Sequence, residues 1–169
     1  MNCILRRARL VLCALLGVLA YIGVHEAGHA LAAISTGRTV TKIRMLSLTP
    51  HVALRGPSTP ASDAFAASAG SGLVVALWFA YTAIYRNRRS TLLCEGFTFF
   101  AAIELLAWFV SALVHTTAPP NNDVTKFINV SGLSPASVAF AVAAIALAAA
   151  QVKFSCIRFS KAEPAPLSC

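Results

Sequence analysis

The stretch "LVLCALLGVLAYIGVHEAGHALAAI", residues 10–34, is apolar from end to end except where His25, Glu26 and His29 interrupt it. It exceeds the roughly 20 residues a helix needs to cross a bilayer, so it reads as a membrane span. An ionisable group at the centre of such a span costs roughly 2.5 kcal/mol or more by insertion scales. Three within five residues require a compensating partner. On a helix, positions four apart share a face, so His25 and His29 can offer imidazole nitrogens to one ion while Glu26 lies over the same turn. This is a zinc half-site. Zinc takes nitrogen and oxygen donors in tetrahedral geometry, and a catalytic site keeps one position open for water. Glu26 is then the general base, which takes the water's proton and passes it to the leaving amine. The plainer alternative is two buried histidines and a glutamate satisfied by ordinary hydrogen bonds.

The rest of the chain has the same solvent. Charged residues make up 12% and hydrophobic ones 57% of the 169 residues, and the mean hydropathy is +0.71; these values belong to multi-span membrane proteins. The net charge of +8 does not indicate nucleic acid. Most of its basic residues flank apolar runs: Arg6, Arg7 and Arg9, then Arg86, Arg88 and Arg89, then Lys153, Arg158 and Lys161. Such clusters encode membrane topology. The five cysteines, Cys3, Cys13, Cys94, Cys156 and Cys169, form no CxxC pair and predict neither a disulfide framework nor a thiolate metal site.

Four apolar runs, at about 10–34, 61–85, 92–115 and 135–154, predict an all-α integral membrane protein in a single domain, residues 1–155. The basic N-terminus resembles a signal peptide, but a cleaved leader has no use for HEAGH near its end, so the first run is read as retained. Between the first two runs, "STGRTVTKIRMLSLTPHVALRGPSTP" (35–60) offers Gly37 as a helix stop, one or two short strands in "TVTKIRMLSL", and loop from Pro50 onward. The small residues of "AASAGSG" (66–72) permit close approach by another helix. Gly23 and Gly28 do the same on the first run, and the strand-like stretch offers an edge for an extended peptide. The segment between the third and fourth runs reads as non-periodic connection, and residues 156–169 read as a polar, disordered tail.

Two histidines leave a zinc site incomplete, and the candidates for a third ligand are Asp63, Glu95, Glu104, Asp123, Glu163, His51 and His115. Asp123 follows "PPNN", a break in the apolar pattern, and irregular backbone at membrane depth is tolerated only where it is buried in protein or lines a wet cavity.

Three segments, "HEAGHALAAISTGR" (25–38), "AASAGSG" and "IELLAWFVSALVHTTAPPNNDVTKFINVSGLSP" (103–135), make the chain resemble the site-2-protease-like intramembrane metalloproteases, specifically their minimal M50B-like members. The resemblance covers roughly residues 21–135. It implies a hydrolase with one zinc ion per chain, held by His25, His29 and Asp123 with Glu26 as base. It also implies a membrane-protein or peptide substrate within the bilayer. Better-known members carry proline before the aspartate and glycine after it, where this chain has Asn122 and Val124.

Further residues are weighed beside these. His115 is the alternative ligand. Asn121 and Asn122 could hold a substrate backbone or an oxyanion, or simply make turns. Glu104, an acid in mid-span, could orient a ligand histidine or relay protons, or could be a protonated carboxyl paired with a hydroxyl. Competing functions are a metal-binding or transport protein and a non-proteolytic scaffold. The first predicts polar residues through several spans, which the second and fourth runs lack; the intact Glu26 argues against the second. Basic residues number nine on the N-terminal side of the bundle and five on the other, which favours cytoplasmic termini in a multi-pass protein of the cell membrane. The resemblance instead implies a site nearer the cytoplasmic face than this orientation gives.

Overall fold

The computed structural model describes residues 3–46, 50–84, 92–120 and 122–162. Five helices and one hairpin follow in the order α1 (Cys3–Ser35), β1 (Thr39–Arg44), β2 (His51–Arg55), α2 (Pro60–Ile84), α3 (Leu92–Leu113), α4 (Asp123–Ser131) and α5 (Pro135–Ala162). Four segments are long and apolar enough to cross a membrane: Val11–Ser35, Pro60–Ile84, Glu95–Leu113 and Pro135–Lys153. Val11, Leu12, Leu15 and Leu16 on α1 are each more than half exposed. A water-soluble fold would bury such a row, whereas a spanning helix gives it to lipid. The chain is a multi-pass membrane protein.

The helix ends follow local chemistry. α1 stops in a Schellman motif, with Gly37 at φ 77° while Gly37 N–H reaches the Ile34 carbonyl and Arg38 N–H the Ala33 carbonyl. α2 opens on "TPAS", where Thr59 Oγ1 accepts from Ser62 N–H and Ser62 Oγ accepts from Thr59 N–H. Pro60 fills the first helical position, where no donor is missed. α5 repeats the device in "SPAS": Ser134 Oγ accepts from Ser137 N–H at 3.1 Å, with Pro135 first in the helix.

Two expectations from the sequence are corrected. β1 pairs antiparallel with β2, Thr39 opposite Arg55 and Arg44 opposite His51, with a bulge between Val40 and Lys42. The short strand or hairpin insertion expected after the first span is present, but its second strand is "HVALR", in what the prolines had marked as loop. Pro50 and Pro57 lie outside the strand, and a proline at a strand boundary loses no ladder bond. The segment after α3, read as non-periodic connection, contains α4. Its nine residues are too few for a period to stand out, and it is fixed by its ends instead. Asn122 caps it with Oδ1 accepting from Val124 N–H at 2.9 Å and Thr125 N–H at 3.4 Å. Gly132, at φ 72°, closes it.

The fourth run extends further than expected, since α5 continues to Ala162; of the stretch read as a disordered tail, residues 156–162 are therefore helical. Residues 163–169, with Glu163, lie outside the described residues, as do Asn121 and the basic stretch "RNRRS" at 86–90.

α1 packs mainly on α2, α2 also on α4, and α3 on α5. A Cβ at Gly28 would collide with the Ala69 carbonyl, so the small residues expected to let α2 approach α1 do so at backbone contact. Ala112, Val124, Ile128, Val138, Ala139 and Val142 join α3, α4 and α5 in one apolar cluster. That cluster seats α4 against the bundle.

Candidate metal centre and its supporting network

His25 lies ten residues before the end of α1, about 15 Å along the helix at 1.5 Å per residue. His29 is one turn further on, and the rings meet edge to face with centroids 4.8 Å apart. Asp123, first residue of α4, enters from the other side. Nε2 of His25 and Nε2 of His29 are 3.1 Å apart, and Asp123 Oδ2 stands 3.4 Å from the first and 3.2 Å from the second. Among the described residues, these three side chains are the group whose ligand atoms could hold a metal ion.

The other ring nitrogens are already engaged. His29 Nδ1 lies 2.6 Å from the Ala66 carbonyl, which can only accept, so this nitrogen carries the proton. His25 Nδ1 lies 2.7 Å from Glu104 Oε1 and is assigned as donor on the same logic. Each neutral imidazole then presents a bare Nε2 lone pair to the centre, where the carboxylate oxygen also points. Three acceptors at this separation repel one another unless a cation stands among them. The spacing fits zinc: donors at 2.0–2.1 Å in a tetrahedron are about 3.3 Å apart. Donor types and triangle would fit a three-ligand site for such an ion.

Glu26 is buried at 4% exposure. Its Oε2 has no hydrogen-bond partner among the described residues. A buried carboxylate oxygen without a partner is costly, and its place beside two histidines of the same turn suits a group that takes its proton from a reactant.

Glu104 is also buried and accepts several hydrogen bonds. Oε1 receives Tyr21 O–H at 2.5 Å besides His25 Nδ1–H; Oε2 receives Ser71 O–H at 2.6 Å. Trp108 Nε1–H in turn donates to Ser71 Oγ at 2.7 Å. Glu104 thus has both a histidine partner and a hydroxyl partner, and it accepts from the hydroxyl rather than donating to it as the protonated carboxyl of the second expectation would. An apolar groove of about 560 Å3 lies among α2, α3, α4 and α5, and Ser71, Glu104 and Trp108 are among its lining; the network behind His25 therefore supplies three of the groove's polar side chains, beside Ser68 and Ser137.

The remaining candidates lie elsewhere. Asp63 pairs with Arg38 at 2.6 Å, joining the hairpin's start to α2, and Glu95 pairs with Lys153 at 3.2 Å. His51 opens β2. His115, the alternative ligand, sits in the turn after α3 and is not in the group of three. Asn122 is the cap of α4, and its Nδ2 reaches Ser111 Oγ at 3.5 Å.

Sequence reasoning missed Tyr21, Ser71 and Trp108. Tyr21 carried a signal, since it lies four residues before His25 and shares its face. Ser71 was noted only as small. Gly70, its neighbour, was too, although a Cβ there would lie 2.5 Å from His29 Nε2 and 2.8 Å from His25 Nε2.

A four-span bundle with HExxH in one span and a converging aspartate on a separate helix has the make-up of a membrane metallopeptidase. The chain belongs to the peptidase M50B-like family, whose family model matches residues 7–119. No curated protein matches it. No solved structure does either. The matched stretch contains HEAGH, Tyr21, Ser71, Glu104 and Trp108 but stops short of Asp123, so the place of the aspartate rests on the fold.

Proposed function

We propose that this protein is an intramembrane zinc endopeptidase that hydrolyses a peptide bond in or beside a transmembrane segment of a membrane-protein substrate. The triangle of His25 Nε2, His29 Nε2 and Asp123 Oδ2 carries the reading, with both Nδ1 atoms already committed to other partners. Membership of the M50B-like family supports it.

The three side chains would hold one zinc ion, which when bound polarises a scissile carbonyl and acidifies water. Glu26 takes a proton from the attacking water on its free oxygen and returns it to the leaving amine. Glu104 and the Ala66 carbonyl keep the imidazoles in the Nδ1–H tautomer, so neither ring can turn its lone pair away. A substrate helix has to unwind locally, because its own hydrogen bonds occupy the carbonyl that must be attacked.

The test is elemental analysis of full-length protein purified in detergent without chelators, followed by a cleavage assay on a membrane-protein substrate. Wild type and Glu26→Gln are expected to hold about one zinc per chain, and His25→Ala and Asp123→Ala to lose it, with Glu26→Gln inactive. A wild type that neither contains zinc nor takes it up on addition would leave a scaffold. Zinc bound without any cleavage of candidate substrates would favour a metal-binding role.

A further inference from the structure

Trp108 stands between the two halves of the centre. An indole N–H can only donate, so the Ser71 oxygen it meets at 2.7 Å must accept. Ser71 has a single proton, and its other close partner is Glu104 Oε2 at 2.6 Å. The indole therefore sets which way the hydroxyl points. The carboxylate that receives that proton holds His25 Nδ1–H through its second oxygen at 2.7 Å. The chain of bonds runs from α3 to α2, back to α3, and on to α1.

The same indole also touches the other half. Its ring lies against Phe127 at 5.5 Å between centroids, tilted by 61°. Phe127 is four residues after Asp123 and so on the same side of α4. An apolar residue could fill this volume, and in a purely packing role the indole nitrogen would be a liability. Here its proton completes a route, separate from the direct approach of Asp123 to His25, that links the seat of α4 to the orientation of His25.

We propose that Trp108 is a positioning residue for the metal centre, acting on His25 through Ser71 and Glu104 and on Asp123 through Phe127. The proposal rests on the zinc reading above. Zinc affinity should then depend on an indole N–H that does not touch the ion, and cutting the chain at either link should have the same effect.

The experiment is zinc affinity by competition with a chromophoric chelator, on the full chain in detergent, for wild type, Trp108→Phe, Ser71→Ala and the double variant. Ser71→Ala deletes one oxygen and leaves the indole in place, so the chain can be cut without disturbing the ring against Phe127. Each single variant is expected to weaken binding roughly 10-fold, the lower end of what outer partners of metal ligands give. The double variant should be little worse than the weaker single, because the links act in series. In 15N-histidine spectra of the zinc-free protein, His25 should be the Nδ1–H tautomer in wild type and a mixture in Ser71→Ala.

Single variants within twofold of wild type with an unchanged tautomer would overturn the proposal, and so would effects that multiply in the double variant, since these mark two independent packing losses. Either result would leave the zinc reading standing. Failure of wild type itself to bind zinc would remove both.

Discussion

α1 and α4 both bring candidate ligands to the centre, and they do it by opposite means. α1 is 33 residues long, and its two histidines meet because they are one turn apart on the same helix. α4 has nine residues, too short to be stable alone in water. Asp123 arrives only because Asn122 caps the first turn and Val124 and Ile128 are buried against α3 and α5. One half of the site follows from local periodicity, the other from the packing of α4 on α2, α3 and α5, which carries Asp123 to histidines about a hundred residues earlier in the chain.

The sharpest separation of the halves concerns chemistry rather than binding. Glu26→Gln should cut turnover by roughly 10²–10⁴, the usual weight of a general base, while zinc content stays at the wild-type level. Parallel cleavage assays and elemental analysis would check this, and loss of zinc together with activity would mean that Glu26 helps hold the ion.

Next in size is Gly70→Ala, at the wall where α2 meets the α1 half. The new methyl would press on both Nε2 atoms. Overpacking costs about 1–3 kcal/mol, so zinc should bind roughly tenfold or more weakly by chelator competition. Affinity equal to wild type would mean that the rings have room to retreat, and that the α1 half is looser than its contacts suggest.

On the α4 side the expected effect is smaller. Asn122→Ala removes a cap that contributes about 1 kcal/mol, which should weaken zinc about fivefold; Asn122→Ser, another good cap, should recover most of it. Rescue would identify Asn122 as a cap. A serine variant as poor as alanine, with zinc affinity normal in both but cleavage lost, would assign the amide to substrate instead.

The smallest effect is expected at His115. His115→Ala should leave zinc within twofold of wild type by the same titration, and a large loss would put the third ligand in the turn after α3 rather than on α4.

The legibility of the molecule divides along the same line. The spans were readable because hydropathy sums over some twenty residues, and the α1 stop because Gly37 is followed by β-branched, alternating residues. β2 was misread because prolines next to a strand look like prolines within a loop. α4 was missed because its amphipathic pattern lasts only nine residues and follows "PPNN", which reads as a break. Glu104 could be marked as an intramembrane acid, yet its partners, Tyr21 and His25 on one oxygen and Ser71 on the other, lie 33 to 83 residues away in the chain.

The sequence alone determined four apolar spans and the paired imidazoles beside a carboxylate, because hydrophobic length and the i, i+4 spacing of a helix are local properties. Tertiary structure decided which candidate side chain, among the described residues, stands at both Nε2 atoms, and which buried groups fix the tautomers. Those choices depend on where α2, α3 and α4 cross α1. Crossing geometry is set by close packing at Gly28 and Gly70 and by the burial of α4, and neither is written in any one stretch of the chain.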